Sequence, residues 1–257
     1  MFLNMSSPAA PPSWVLLFVP SLAVFVNVAM WVSALPAILN ARITKNLGDL
    51  NPLPLAVMFV QCVGWVMYGG IIKDYFIYFA NLPGVCLGLF YVISAIALST
   101  KNKVGEVESY NYRSGEWFLI GGVLFWLIVG LIVMSVEKAL GETFLGGVCM
   151  SGALLYYIAP LSSAWVVITT KNSASLYLPM LIANLVNAAL WFIYGFYIGN
   201  VFIYGPNAAG ATLSFIQIIL SQSYPNKNKE SGAQLLSGIY GGRLSDSQHP
   251  LSENPLH

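Results

Sequence analysis

Trp65-Val66-Met67-Tyr68-Gly69 followed by Phe76-Ile77-Tyr78-Phe79-Ala80-Asn81-Leu82-Pro83-Gly84 returns 126 residues later as Trp191-Phe192-Ile193-Tyr194-Gly195 followed by Phe202-Ile203-Tyr204-Gly205-Pro206-Asn207-Ala208-Ala209-Gly210. Laid over each other without a gap, residues 61–90 and 187–216 agree at 10 of 30 positions, and both copies sit in strongly apolar sequence. A duplicated membrane unit follows, and duplicated units in a bilayer commonly meet around a transport path.

Composition sets the solvent. With 57% hydrophobic and only 8% charged residues, the chain lacks the charged surface that a soluble domain of its length needs. A formal net charge of +1 gives no reason to expect nucleic acid as a partner. Cys62, Cys86 and Cys149 lie in apolar runs without paired spacing, so neither a disulfide framework nor a metal site is expected, and buried, packed thiols are.

Charges mark the borders of the spans. Residues 14–41, 50–72, 75–100, 117–136 and 143–170 contain no Asp, Glu, Lys or Arg, and 172–226 is uncharged throughout. Each stretch is long enough to cross about 30 Å of hydrocarbon, and the last holds two crossings separated near Gly199-Asn200. The pattern predicts an all-α membrane protein with seven transmembrane helices near 14–39, 53–72, 74–99, 117–136, 143–168, 177–198 and 200–221. Nine of the eleven basic residues fall on one side and two, Lys73 and Lys138, on the other. The positive-inside rule then places residues 1–13 and the even-numbered loops outside and the C-terminus in the cytoplasm. Asn4-Met5-Ser6 forms a glycosylation sequon close to the bilayer, and the tail 222–257, rich in Ser, Gly, Asn and Pro, is expected to be disordered.

A three-helix unit ends opposite to where it began, so one unmatched crossing is needed to make two copies parallel. Helix 117–136 supplies it, with Gly121, Gly122 and Gly130 available for close helix contact. The expected architecture is 3+1+3: repeat 14–99, linker helix 117–136 and repeat 143–221.

No constellation for enzyme chemistry is present. His249 and His257 lie in the tail, and no acidic or basic residue sits deep in a span. A proton relay or sodium site would normally show as such a residue, so passage without ion coupling, cofactor or metal is expected. The polar groups at depth are amides. Asn81 and Asn207 lie about 10 Å into their helices, each beside a proline, Pro83 and Pro206. They suit a neutral polyol, whose hydroxyls donate and accept, or else they cap their own weakened turns. Trp65 and Trp191 precede Tyr68 and Tyr194 by three residues, so each pair shares a helix face. The indoles can stack on a sugar and the tyrosines can gate, or all four can pack and line the interfacial belt. Pro36, Pro54, Pro160 and Pro179 gather toward the cytoplasmic ends, with Pro36 and Pro160 the better hinges and Pro54 and Pro179 in first turns that tolerate proline.

These segments resemble the SWEET sugar facilitators: Leu35-Pro36 with Arg42 to Lys45, Leu53-Pro54, Trp65-x-x-Tyr68-Gly69, Asp74 and Asn81, then Ala159-Pro160-Leu161-Ser162, Thr170-Lys171-Asn172-Ser173, Leu178-Pro179, Trp191-x-x-Tyr194-Gly195 and Pro206-Asn207-x-x-Gly210. The resemblance spans nearly all of 33–221 and implies bidirectional, alternating-access uniport of a mono- or disaccharide across the plasma membrane. It implies that Asn81 and Asn207, with Trp65 and Trp191, bind substrate and that the four prolines form the inner gate. Tyr68, Tyr194 and Asp74 fall at the outer gate, although Asn200 stands where relatives often carry an acid. Pro36 lies nine residues before Lys45 but Pro160 eleven before Lys171, so the two are out of register. The two indoles favour a hexose over sucrose. A carrier of the same fold for another small solute such as an amino acid, and a seven-helix receptor, are the alternative readings. Self-association of protomers is left open.

Overall fold

The computed structural model describes residues 12–47, 52–101 and 109–226. The sequon at Asn4, the histidines and the tail beyond Asn226 lie outside the described residues. Nine helical segments are present among those described: α1 (Ser13–Ser33), α2 (Leu35–Thr44), α3 (Pro52–Ile72), α4 (Tyr75–Lys101), α5 (Ser109–Ser135), α6 (Lys138–Tyr156), α7 (Ile158–Thr170), α8 (Leu178–Tyr197) and α9 (Val201–Ser223). They make seven membrane spans, because α1–α2 and α6–α7 each cover one long apolar stretch, Ser13–Thr44 and Lys138–Thr170. Helix is what a bilayer demands, since it pairs each backbone group within its own segment.

The first and fifth spans differ from the expected 14–39 and 143–168: both are longer, and both bend, at Ala34 and Tyr157. Pro36 and Pro160 are the cause. Each lacks an N–H and crowds the carbonyl four residues back, and each disfavours helix at the residue before it. The chain bends one residue beyond that carbonyl in unit 2 and two beyond it in unit 1. Ala34 N–H turns to Val32 O, and Tyr157 N–H to Leu154 O. Pro83 and Pro206, expected to weaken their turns, do not interrupt their helices: α4 and α9 continue through them. Pro54 and Pro179 sit in the first turns of α3 and α8, where proline costs no hydrogen bond.

Neighbour relations close the helices into a ring in the order α1, α4, α3, α6, α9, α8 and back to α1. In each three-span unit the third helix therefore packs between the first and the second, and the two units meet at α3 against α6 and at α8 against α1. This is the 3+1+3 arrangement of two parallel repeats. The fourth span, α5, lies outside the ring against α3, α4 and α6. Trp126 fastens it, donating its indole N–H to Val60 O at 2.7 Å and filling the space left by Gly64 of α3. Gly122 lies against Val60, and a side chain at Gly130 would sit 3.5 Å from Met67. Gly121 meets nothing within 4 Å, so of the three glycines expected to bring helices together it takes no part; it lies on the lipid-facing side. Cys62 and Cys149 are buried as expected, but Cys86 is exposed, which an apolar thiol tolerates on a helix whose solvent is lipid.

The repeated phrase is explained at the α3–α4 and α8–α9 hairpins. Asp74 N–H closes on Gly69 O at 2.8 Å, and Asn200 N–H on Gly195 O at 2.9 Å. A side chain at Gly69 would stand 2.8 Å from Tyr78 N, and one at Gly195 2.7 Å from Tyr204 N. Backbone meets backbone there, so only glycine fits. The turn residue with positive φ is Gly199 in the second copy and Lys73 in the first, where a side chain costs about 1–2 kcal/mol.

Candidate functional site

Both hairpins lie at one end of the ring, and there the units are joined crosswise. Tyr194 of the second unit donates to Asp74 Oδ2 of the first at 2.8 Å. Tyr68 of the first lies 2.8 Å from Asn200 Nδ2 and 3.1 Å from Asn200 Oδ1 of the second. Asp74 and Asn200 are held for this by their position as helix N-caps: Asp74 Oδ1 accepts Phe76 N–H (3.0 Å) and Ile77 N–H (3.2 Å), and Asn200 Oδ1 accepts Phe202 N–H (3.1 Å).

The aromatic residues repeat the crossing. Tyr68 meets Phe202 edge-on at 6.1 Å and Tyr194 meets Phe76 at 5.9 Å, while Trp65 and Trp191 brace the tyrosines of their own helices at 5.9 and 6.0 Å. Tyr68 is 2% exposed and Tyr194 6%, so neither ring faces lipid as a belt residue would. Trp191 is buried and Trp65 half-buried in the same cluster, which continues into α1 (Val19, Ala23), α5 (Val129) and α6 (Leu145). A recess of about 370 Å³ lined by Lys73, Asp74, Phe76 and Tyr194 opens beside the charged half of this seal.

The opposite end is different. Among the described residues the backbone of α2 neighbours α1 and α4, that of α7 neighbours α6 and α9, and α2 does not approach α7. Pro36, Pro54 and Pro179 are exposed and Pro160 is half-buried. Among the described residues the units are hydrogen-bonded crosswise at the hairpin end, and α2 and α7 stay apart at the proline end.

Between the ends, Asn81 Nδ2 donates to Ile77 O at 2.9 Å and Asn207 Nδ2 to Ile203 O at 2.7 Å. These carbonyls, four residues back, are not those that Pro83 and Pro206 deprive of a donor, which belong to Phe79 and Phe202. Among the described residues the side-chain oxygens of Asn81 and Asn207 accept no hydrogen bond, and no hydrogen bond or ring contact joins either amide to Trp65 or Trp191. Each amide is thus half-engaged: its nitrogen keeps one donor, and its oxygen is unspent.

Three further carboxamides were not singled out from sequence. Asn187 Nδ2 crosses from α8 to Asn27 Oδ1 of α1 at 3.1 Å, and Asn27 Nδ2 continues to Ala80 O of α4 at 2.9 Å, where Trp31 Nε1 also donates at 3.0 Å. Gln61 Nε2 crosses from α3 to Cys149 O of α6 at 3.1 Å. Gln61 and Asn187 are 126 residues apart. They open the two repeat copies, one turn before the tryptophans, and the shared carboxamide was the available signal, hidden because the residues are not identical. Asn187 Oδ1 is buried without a donor, which leaves a polar atom costing about 1–3 kcal/mol unless something fills the need.

The family profile described as "Sugar efflux transporter for intercellular exchange" matches residues 18–103 and again 143–229. The chain belongs to this family, the SWEET transporters. The two matched stretches hold α1 to α4 and α6 to α9, with α5 falling between them. Among curated proteins, the chain is 26% identical over 224 residues to "Sugar transporter SWEET1" of Caenorhabditis elegans, covering 87% of this chain and 71% of that one. It is 27% identical over 201 residues to "Sugar transporter SWEET1" of Homo sapiens, covering 78% of this chain and 87% of that one. The solved structure of a eukaryotic SWEET transporter shares the fold at a TM-score of 0.70 and 18% identity, over 80% of this chain and 94% of that one. This SWEET member is a multi-pass membrane transporter of sugar, not an enzyme.

Proposed function

We propose that this SWEET protein carries a hexose across the plasma membrane by alternating access, as a uniporter without ion coupling, with its hairpin end outside the cell and its proline end facing the cytoplasm. The observation that carries the reading is the ring itself: hydrogen-bonded crosswise by Tyr194–Asp74 and Tyr68–Asn200 at one end, with α2 and α7 apart at the other. A path closed at only one end is one half of an alternating-access cycle. The other half requires the four hydrogen-bonding groups to part and α2 and α7 to approach, and bends at Ala34 and Tyr157 supply joints for that movement.

Asn81 and Asn207 are the proposed sugar contacts. Each offers a free acceptor and a spare N–H, the set that a vicinal diol pair can satisfy. Trp65 and Trp191 stand one helix turn from the seal and would bound the sugar toward it, their indoles favouring a ring the size of one hexose over two. Nine of eleven basic residues on the proline side set the orientation. No acid, base or histidine lies within the described middle of any span, which supports movement down the sugar gradient alone.

Radiolabelled glucose and sucrose uptake into proteoliposomes, with and without a protonophore, tests the reading. Glucose flux that survives collapse of the proton gradient and exceeds sucrose flux is expected. Flux abolished by the protonophore would overturn the uncoupled mechanism, and sucrose preferred over glucose would overturn the hexose assignment. Asn81→Ala and Asn207→Ala should each abolish flux in a protein that still elutes as a folded species; normal flux in either would reduce that amide to helix packing.

A further inference from the structure

Two buried polar side chains occupy equivalent places in the third helix of each unit, 126 residues apart: Tyr91 in α4, fully buried, and Gln217 in α9. Each reaches a main-chain carbonyl of the bent span of its own unit. Tyr91 Oη donates to Trp31 O at 2.9 Å, and Gln217 Nε2 donates to Pro160 O at 3.0 Å. The bends lie at Ala34 and Tyr157. Tyr91 therefore holds the last turn of α1, before its bend, whereas Gln217 holds the first turn of α7, after its bend.

A second tie strengthens the difference. At the far end of α7, Lys171 Nζ donates to Tyr224 Oη at 2.9 Å and stands 4.7 Å from the ring centre. Ser173 Oγ donates to Tyr224 O at 2.9 Å, and its buried N–H to Pro225 O at 3.1 Å. Beneath them Val167, Leu176 and Leu181 form a small core with Ile218, Leu220 and Tyr224. Helix α7, the loop after it, the first turn of α8 and the end of α9 are one packed body. The corresponding tie of α2 is Arg42 Nη1 to Ser94 Oγ at 2.9 Å, with the guanidinium 5.3 Å from the centre of the Phe90 ring, and this arginine is exposed. Ser94 is buried and the pair is partly so, whereas the Lys171–Tyr224 pair is exposed, and α2 also buries Ile38 and Ala41. What sets α7 apart is the Gln217–Pro160 bond beside its bend and the Ser173 main-chain contact at its far end.

We propose that Tyr91 and Gln217 are positioning residues that decide which segment moves at each bend: Tyr91 fixes α1 and leaves α2 to swing about Ala34, while Gln217 fastens α7 to α9 so that α6 turns against the pair. The proline end then opens and closes chiefly through α2. The consequence for flux rests on the alternating-access reading above; the assignment of the moving segment does not.

Hydrogen exchange of the full-length protein in nanodiscs separates the two. In the unaltered chain, amides of 35–44 should exchange faster than those of 158–170. Gln217→Met, which keeps the volume and removes the donor, should raise exchange across 158–170 about fivefold and leave 35–44 unchanged. Tyr91→Phe, which removes one oxygen and is the milder change should Gln217→Met fail to fold, should raise exchange in 28–33 and leave 158–170 unchanged. Maximal glucose flux should fall severalfold in both, with KM within about twofold of the unaltered value. Equal exchange of the two bent segments in the unaltered chain, or no local change in either variant, would overturn the proposal, as would KM rising in step with lost flux. Absence of glucose flux in the unaltered chain would overturn the hexose reading while leaving the exchange comparison to decide the hinges.

Discussion

The two units share their hairpins almost atom for atom, yet one seals with a charge and the other without. In the first, Asp74 gives one carboxylate oxygen to the start of α4 and the other to Tyr194. In the second, Asn200 caps α9 and meets Tyr68 through both atoms of a neutral amide. Hydrogen bonds to an ionised acceptor are roughly twice as strong as neutral ones. The seal is therefore asymmetric, and the Asp74–Tyr194 half should be the last to part. Duplication preserved the geometry of the closure while letting its strength diverge.

That comparison can be broken first at the glycines. Gly69→Val and Gly195→Val each force a side chain against backbone nitrogen, and should lower stability by about 1–3 kcal/mol or more, measured as the thermal midpoint in detergent. Similar losses in the two halves are expected; a large loss in only one would show that the hairpins are not equivalent. Next in size is Tyr194→Phe, which leaves the Asp74 carboxylate short of a donor at a cost of about 1.5–3 kcal/mol to the sealed state. Spin labels at Tyr75 and Val201, in a chain with exposed Cys86 replaced by Ser, should then report a longer, open population. Tyr68→Phe should open the seal less, by about 1 kcal/mol, because only a neutral bond is lost. Equal opening by the two phenylalanine variants would remove the asymmetry. Asp74→Asn sharpens the same point: it makes the halves alike, and should weaken the seal by about 1 kcal/mol, less than Tyr194→Phe. The smallest effect is expected from Lys73→Gly, which relieves the left-handed backbone already relieved at Gly199. It should raise the thermal midpoint modestly, by at most about 1 kcal/mol.

Much of the candidate site was legible because its parts are local. A Trp and a Tyr three residues apart share a helix face whatever surrounds them, and both ring pairs are in contact. Asp74 and Asn200 were placed at the outer gate by the resemblance alone, and their capping of α4 and α9 came from the structure. The bends were legible in kind, since Pro36 and Pro160 demand them, but the spans were drawn too short because charged residues were taken as their borders, whereas α2 runs through Arg42 to Thr44 and α6 begins at Lys138. Asn27, Gln61 and Asn187 escaped notice because a carboxamide in an apolar helix has no local consequence. Its role depends on what faces it, and a helix apolar all round carries no stripe to say which side is which.

Charge distribution, apolar run length and the repeated phrase determined seven crossings, two parallel copies and no charge deep in a span, because the bilayer penalises any other reading of such a sequence. Tertiary structure alone decided that the third helix of each unit packs between the other two, that each tyrosine bonds the opposite unit's cap, and that Tyr91 and Gln217 hold opposite sides of their bends. Those are facts about partners across the ring, set by packing in three dimensions, and residues separated by 120 or 132 positions leave no spacing in the chain from which such a partnership can be read.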